Sequence, residues 1–143
     1  MFSKILIASD GSPLSIKAAN AAIAFARDCG AELVALSVAI LYPVMPEVGG
    51  LPDLSAFEDA ARAEAQQLLE PIAAEAAKAH VPCELVVRYA PSPWQEIVDV
   101  ARVHGCDCIW MGSHGRRGLS RLLLGSETQR VLVHTDIPVM VYR

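Results

Sequence analysis

No apolar run in the chain approaches the roughly 20 residues needed to cross a bilayer, so no membrane insertion is expected. Basic residues are not in excess: 12 Lys and Arg stand against 16 Asp and Glu, a net charge of −4. That balance gives no support to sequence-independent nucleic-acid binding. Only 20% of residues are charged and 53% are hydrophobic, which argues against disorder. Four cysteines are too few and too scattered for a disulfide scaffold. Cys106-x-Cys108 in a strand sets both side chains on one face, about 7 Å apart between Cα atoms, at the far limit for a bridge. With only His104 nearby as a further ligand, they read as buried thiols acting as small hydrophobes. The opening MFSKILIASDGS has no signal-peptide core followed by a small-residue cleavage site, so the expected location is cytoplasmic. At 143 residues the chain fits one domain, 1–143, with room for a proper core.

What the sequence does contain is an alternation of strands and helices. Lys4 to Ala8 is a short apolar run of the kind covered on both faces. Ser12 and Pro13 then supply a helix cap and first turn. An Ala-rich helix, with Leu14, Ala18, Ala21, Ala22 and Phe25 on one side, runs to Cys29, and Gly30 stops it. Leu33 to Ala39 is a second strand. The segment from Ile40 to Leu54, with three prolines and two glycines, is long for a connection in a compact domain. It reads as a lid, a partner contact or a mobile loop. A long helix from about Ser55 to His80, kinked near Pro71, leads to a third strand, Glu84 to Tyr89. A helix from Pro93 to His104, capped at Ser92, precedes a fourth strand, Asp107 to Met111. The last helix, Ser126 to His134, is followed by a strand from Pro138 to Tyr142. Five strands and four helices in this order imply right-handed crossovers and a doubly wound α/β fold around a parallel sheet.

In such sheets a ligand binds at the carboxyl ends of the strands, where the strand order reverses. Two strand ends carry unusual chemistry: Ser9-Asp10-Gly11-Ser12 after the first, and MGSHGRRGLSRLLLGS, residues 111–126, after the fourth. The second places Gly112, Gly115, Gly118 and Gly125 around Arg116, Arg117 and Arg121. Glycines at this density mean close backbone approach or positive φ. With arginines, exposed amides and a hydroxyl, the segment reads as an anion pocket, for phosphates in particular; the alternative is a glycine-rich turn solvated by arginines. It is not a Walker A loop, since no Gly-Lys-Ser/Thr follows, and the G-x-G-x-x-G spacing of dinucleotide folds is absent. The first loop also lacks the glycines of a pyrophosphatase-type SGGxDS loop.

Gly112-x2-Gly115-x9-Gly125-Ser126 matches the G-x2-G-x9-G-[S/T] signature of universal stress proteins, in the branch that binds ATP. The resemblance runs through the opening Ile5 to Ser12, the second strand from Gly30 to Val38, and the closing Val131 to Val141. It implies a Rossmann-like sheet of order 3-2-1-4-5, related to adenine-nucleotide alpha hydrolases, with strands one and four adjacent. It also implies ATP with Mg2+ (or Mn2+) as cofactor. By residue, Asp10 matches the acidic position near sugar, phosphates and metal, and Val38 the position whose backbone reads adenine. Gly112 and Gly115 match the ribose and phosphate lining, and Gly125 with Ser126 the residues closing on the phosphates. The expected cofactor-binding set extends to Ala8, Ser9, Ser12, Met111, Ser113, Arg116, Arg117, Gly118, Glu127 and Thr128. Two positions depart from the family pattern. Ala90 stands where glycine is frequent, which affects a turn, and Ala39-Ile40-Leu41 makes the adenine wall more apolar.

Several residues carry two readings. Asp10 caps the first helix or serves ligand and metal. Ser126 meets a phosphate, caps the last helix, or does both. His114 reads as loop structure or an indirect ligand contact, because no catalytic partner is evident, and no catalytic residue is assigned. Trp94 and Trp110 read as packing, and His134 suits the C-terminal end of a helix dipole. The terminal strand has nothing to cover it, and an exposed apolar edge invites pairing. Similar proteins dimerise there, so a homodimer around Val139 to Tyr142 is expected. The leading function is a nucleotide-holding stress-response module. The alternatives are a slow ATPase or autophosphorylating enzyme, and a nucleotide-free scaffold dimer contacting a protein partner through the loop from Ile40 to Leu54.

Overall fold

The computed structural model describes residues 1–40, 54–116 and 123–143. The inner part of the Ile40–Leu54 segment, and Arg117, Gly118 and Arg121, lie outside the described residues. The elements are β1 (Lys4–Ala8), α1 (Pro13–Cys29), β2 (Glu32–Ile40), α2 (Leu54–Lys78), β3 (Cys83–Ala90), α3 (Pro93–Val103), β4 (Cys108–Gly112), α4 (Ser126–His134) and β5 (Val139–Tyr142). The five strands pair in parallel in the order β3-β2-β1-β4-β5, which is the order the resemblance implies.

Alternation along each strand divides the core into two layers. Ile5, Ile7, Leu33, Ala35, Cys108 and Trp110 point to one face and bury Ala18, Ala22 and Ala26 of α1 with Leu69, Ile72 and Ala76 of α2. Leu6, Val34, Leu36, Ile109 and Met111 point to the other, against Ile97, Val98, Val100 and Ala101 of α3 and Val131 of α4. Each fully buried Leu or Ile stabilises the fold by about 1.5–3 kcal/mol. The alanines of α1 let that helix lie close to the sheet. Trp110 packs on Phe25 with ring centroids 5.4 Å apart, and Trp94 stacks near His134 at 4.2 Å, so both tryptophans are packing residues. Cys106 and Cys108 do not share a face. β4 begins only at Cys108, so Cys106 sits in the preceding turn and packs in the opposite layer. Burial pushes the Cys106 thiol up to about 11 and raises that of Cys108, which keeps both as neutral hydrophobes.

Helix ends follow local chemistry. Ser12 Oγ accepts from Ser15 N at 3.3 Å, Pro13 fills the first position, and Gly30 closes α1 in the left-handed region at φ 72°. Ser92 is the N-cap residue of α3, but its side chain makes no capping bond. Instead the Glu127 carboxylate on α4 accepts from Trp94 N at 2.8 Å and from Ser92 Oγ. One helix therefore caps its neighbour, and this also holds α4, whose buried residues are only Thr128 and Val131. No described helix is long and apolar enough to cross a membrane.

Candidate functional site

β1 and β4 are adjacent and both neighbours of β1 extend from opposite crossovers, so the switch point lies at their carboxyl ends. Ala8 ends β1, and Ser9 N donates to Leu36 O at 3.0 Å. Ser9 and Ser12 are buried. Ser9 Oγ lies 3.1 Å from Ser15 Oγ, and Ser15 Oγ donates to Ser12 O at 2.9 Å. This hydroxyl cluster fixes the loop that presents Asp10.

Asp10 joins the two loops. Its Oδ1 accepts from Ser12 N at 2.9 Å, and its Oδ2 accepts from Arg116 N at 2.9 Å across 106 residues of sequence. Burial pulls its carboxyl upward. The hydrogen bonds from Ser12, from the Arg116 amide and from Ser15 outweigh that and hold it below the ordinary value of 3.8. The capping reading of Asp10 is corrected: Ser12 is the N-cap residue of α1, and Asp10 instead orders the turn before it and sits, ionised, at the switch point.

The glycines permit convergence. None of Gly112, Gly115 and Gly125 has positive φ, so close approach and not dihedral freedom explains them. A Cβ on Gly112 would lie 3.3 Å from His114 O, and one on Gly125 would lie 3.2 Å from His114 Cα and 3.3 Å from Ser113 O. A Cβ on Gly115 would collide with Asp10 Oδ2. Gly125 N donates to Ser113 O at 2.7 Å, and the buried Thr128 Oγ1 donates to Gly112 O at 3.0 Å. These bonds bring the start of α4 against the end of β4. Gly125, not Ser126, is the N-cap residue of α4, and no side chain caps that end. The capping reading of Ser126 is thus corrected: the backbone turns into the helix one residue earlier. The first ladder bond of α4 is Gln129 N to Gly125 O, so the amides of Ser126, Glu127 and Thr128 are donors that the helix leaves over.

Val38 lies across the crevice. Ala8, the last residue of β1, pairs with Leu36. Leu36 O faces β1, so by alternation Val38 turns its own N–H and C=O to the same side, past the point where β1 has ended. Val38 thus presents a donor and an acceptor without a strand partner on that side. Met111 is a core residue and contributes backbone only. The side chains of Glu127 and Thr128 are committed to α3 and to β4, so their amides are what they offer. His114 Nδ1 lies 3.2 Å from Ser113 Oγ, a contact within the loop.

A cleft of about 760 Å³ adjoins this crevice, lined by Ser12, Ser113, Gly115 and Arg116 of the expected set, together with Leu14, Lys17, His114, Tyr142 and Arg143. Sequence reasoning missed Lys17, Tyr142 and Arg143. Lys17 lies one helical turn after Pro13, and no local pattern distinguishes it from an ordinary exposed lysine of α1. Among the described residues no three His, Cys, Asp or Glu side chains group to hold a metal. Asp10 by itself suits Mg2+ only in the manner usual for that ion, with one or two carboxylates, phosphate oxygens and waters completing the shell.

The chain matches the universal stress protein family over residues 1–143. It is similar to universal stress protein YxiE of Bacillus subtilis, at 31% identity over 150 residues covering 100% of both chains. Universal stress protein UspA from Lactobacillus plantarum superposes with a TM-score of 0.84 at 27% identity, covering 99% of this chain and 97% of that one. Two more distant structures share the fold. One is a universal stress protein in complex with cAMP (TM-score 0.73, 19% identity, covering 99% and 97%). The other, from Archaeoglobus fulgidus, is in complex with dAMP (TM-score 0.67, 20% identity, covering 99% and 98%).

Proposed function

Because this chain belongs to the universal stress protein family, we propose that it is an ATP-binding module of the cytoplasmic stress response. It takes ATP with Mg2+ between the ends of β1 and β4 and acts through its occupancy. The observation that carries this reading is the pairing, across one crevice, of the unpartnered edge at Val38 with the unfilled amides at the start of α4. A donor and acceptor on a strand edge suit the ring edge of adenine. Helix-start amides suit phosphate, and the family relatives solved with cAMP and dAMP accord with both. Asp10 is the residue for the metal, which arrives with the nucleotide's phosphate oxygens. Calorimetry of nucleotide-stripped protein with ATP and with GTP tests the reading. Adenine offers an acceptor at N1 and a donor at N6, and guanine reverses both, so ATP should bind at least tenfold more tightly, as about 1.4 kcal/mol requires. Equal affinities would contradict the role of Val38.

The same reading includes a homodimer. β5 ends the sheet, so its outer edge is unpaired among the described residues, and Met140 on it is 41% exposed. Pairing of Val139–Tyr142 with a second copy covers that edge. Sedimentation checks it: a monomer at tens of micromolar would contradict it.

A further inference from the structure

Gly11 differs from Gly112, Gly115 and Gly125. Its φ of 76° lies in the left-handed region, and the residue is crowded as well. A Cβ there would lie 2.5 Å from Leu68 Cδ2, 3.4 Å from Leu68 Cδ1 and 3.0 Å from Arg116 Nη2. Leu68 of α2 therefore rests on the bare backbone of the turn that presents Asp10, and the Arg116 guanidinium closes on the same point. Arg116 N also donates to Asp10 Oδ2 at 2.9 Å. Three elements thus meet at one residue: the turn after β1, the loop after β4, and a helix that supplies none of the expected site residues. That helix is unevenly held. The buried side chains of α2 among the described residues are Ala65, Leu69, Ile72 and Ala76, whereas residues 55–60 and 62–64 are exposed. Arg62 ties this end to β3. Its Nε donates to Tyr89 Oη at 2.9 Å with the guanidinium 5.6 Å from the ring centroid, and Tyr89 Oη donates to Glu58 O at 3.4 Å. A stretch held by exposed polar contacts opens locally at less cost than the packed half of the same helix. Leu68 stands one turn beyond Glu64, where the exposed half meets the packed one.

We propose that Leu68 is a positioning residue that couples α2 to the site. Seated on Gly11, it fixes the turn that aims the Asp10 carboxylate. A ligand that engages Asp10 settles the same turn against Leu68 and so steadies the exposed half of α2. The coupling rests on the nucleotide reading above and adds the element through which occupancy reaches the protein surface. It acts in both directions, because a contact that lets the ligand favour the docked helix lets the helix favour the liganded turn by the same factor. α1 and α4 place their first turns in the site itself, and α3 is pinned to α4 by the Glu127 carboxylate. α2 instead pairs a contact at the site with a stretch outside the core that can respond to it.

The experiment is hydrogen–deuterium exchange of the full chain, stripped of nucleotide, with and without millimolar ATP and Mg2+, alongside calorimetry of the same proteins. Wild type is compared with Leu68→Ala, Leu68→Val and Leu68→Met. Leu68 is only half-buried, and the smaller change Leu68→Val keeps the test open should Leu68→Ala unfold. In wild type, ATP should slow exchange over residues 56–64 by about threefold or more, together with residues 112–116 and 126–128. Leu68→Ala should abolish the slowing over 56–64, keep it at 112–116 and weaken ATP about fivefold. Leu68→Met, which restores the volume, should recover both. A Leu68→Ala protein that melts lower but keeps its ATP affinity and the response of 56–64 would overturn the coupling. So would a wild type in which ATP slows 112–116 and leaves 56–64 unchanged. No slowing at either place would overturn the nucleotide reading, and the coupling with it.

Discussion

Replacing Gly115 with alanine tests the geometry at the switch point most sharply. The added Cβ collides with Asp10 Oδ2, so the carboxylate must leave its place. Leaving breaks its bonds to Ser12 N and Arg116 N, both 2.9 Å. Hydrogen bonds to a charged group contribute about 1.5–3 kcal/mol each. Arg116 is exposed and water replaces part of that loss, so roughly 2–3 kcal/mol for the pair is the reasonable total. Gly115 has no positive φ, so alanine meets no backbone strain there, and it reduces the freedom of the unfolded chain by about 0.4–1 kcal/mol. The net expectation is a destabilisation of about 1–2 kcal/mol, seen as a melting temperature lower by roughly 3–8 °C. A double-mutant cycle isolates the cause. In an Asp10→Ala background, Gly115→Ala should be neutral or slightly stabilising, because nothing remains to collide with. Additive effects, or a Gly115→Ala protein as stable as wild type, would show that the Asp10 carboxylate is not held against Gly115.

Asp10 should also leave an acid-side signature. Its folded pKa lies below the ordinary 3.8, so its contribution is complete above that value and is lost as pH falls through the lower folded pKa. The stability gap between wild type and Asp10→Asn should therefore be constant near neutrality and shrink as pH drops below 4, on the order of the unfolded value; a gap independent of pH would contradict the assignment. Glu127→Ala should cost about 1 kcal/mol by uncapping α3 and leave ATP affinity within about twofold, because Glu127 offers the ligand its amide. Lost affinity without lost stability would show that its carboxylate serves the ligand.

The start and end of α1 are legible in Ser12, Pro13 and Gly30 because each acts on its own neighbours. The strand order and the meeting of the two loops follow from the resemblance, which encodes long-range pairing that composition and periodicity do not. What stays hidden has a long-range cause. Glu127 caps α3 from 33 residues beyond Trp94, and no local pattern distinguishes it from an ordinary first-turn glutamate. The one-residue shift of the N-cap from Ser126 to Gly125 depends on Gly125 N reaching Ser113 O. Cys106 and Cys108 part company because β4 starts two residues after Gly105 would allow, once Asp107 turns back to accept from Ser3 N and Lys4 N. Lys17 enters the cleft only because β5 ends beside α1. The resemblance located the glycine cradle, and the cations beside it emerge from packing.

Amide chemical-shift mapping of the stripped protein during titration with ATP and Mg2+ locates the nucleotide on the fold. Saturation is expected in the micromolar range, with the largest changes at Val38, at Gly112 to Gly115 and at Ser126 to Thr128. No saturation at millimolar ATP, or changes confined to surfaces away from the ends of β1 and β4, would contradict it.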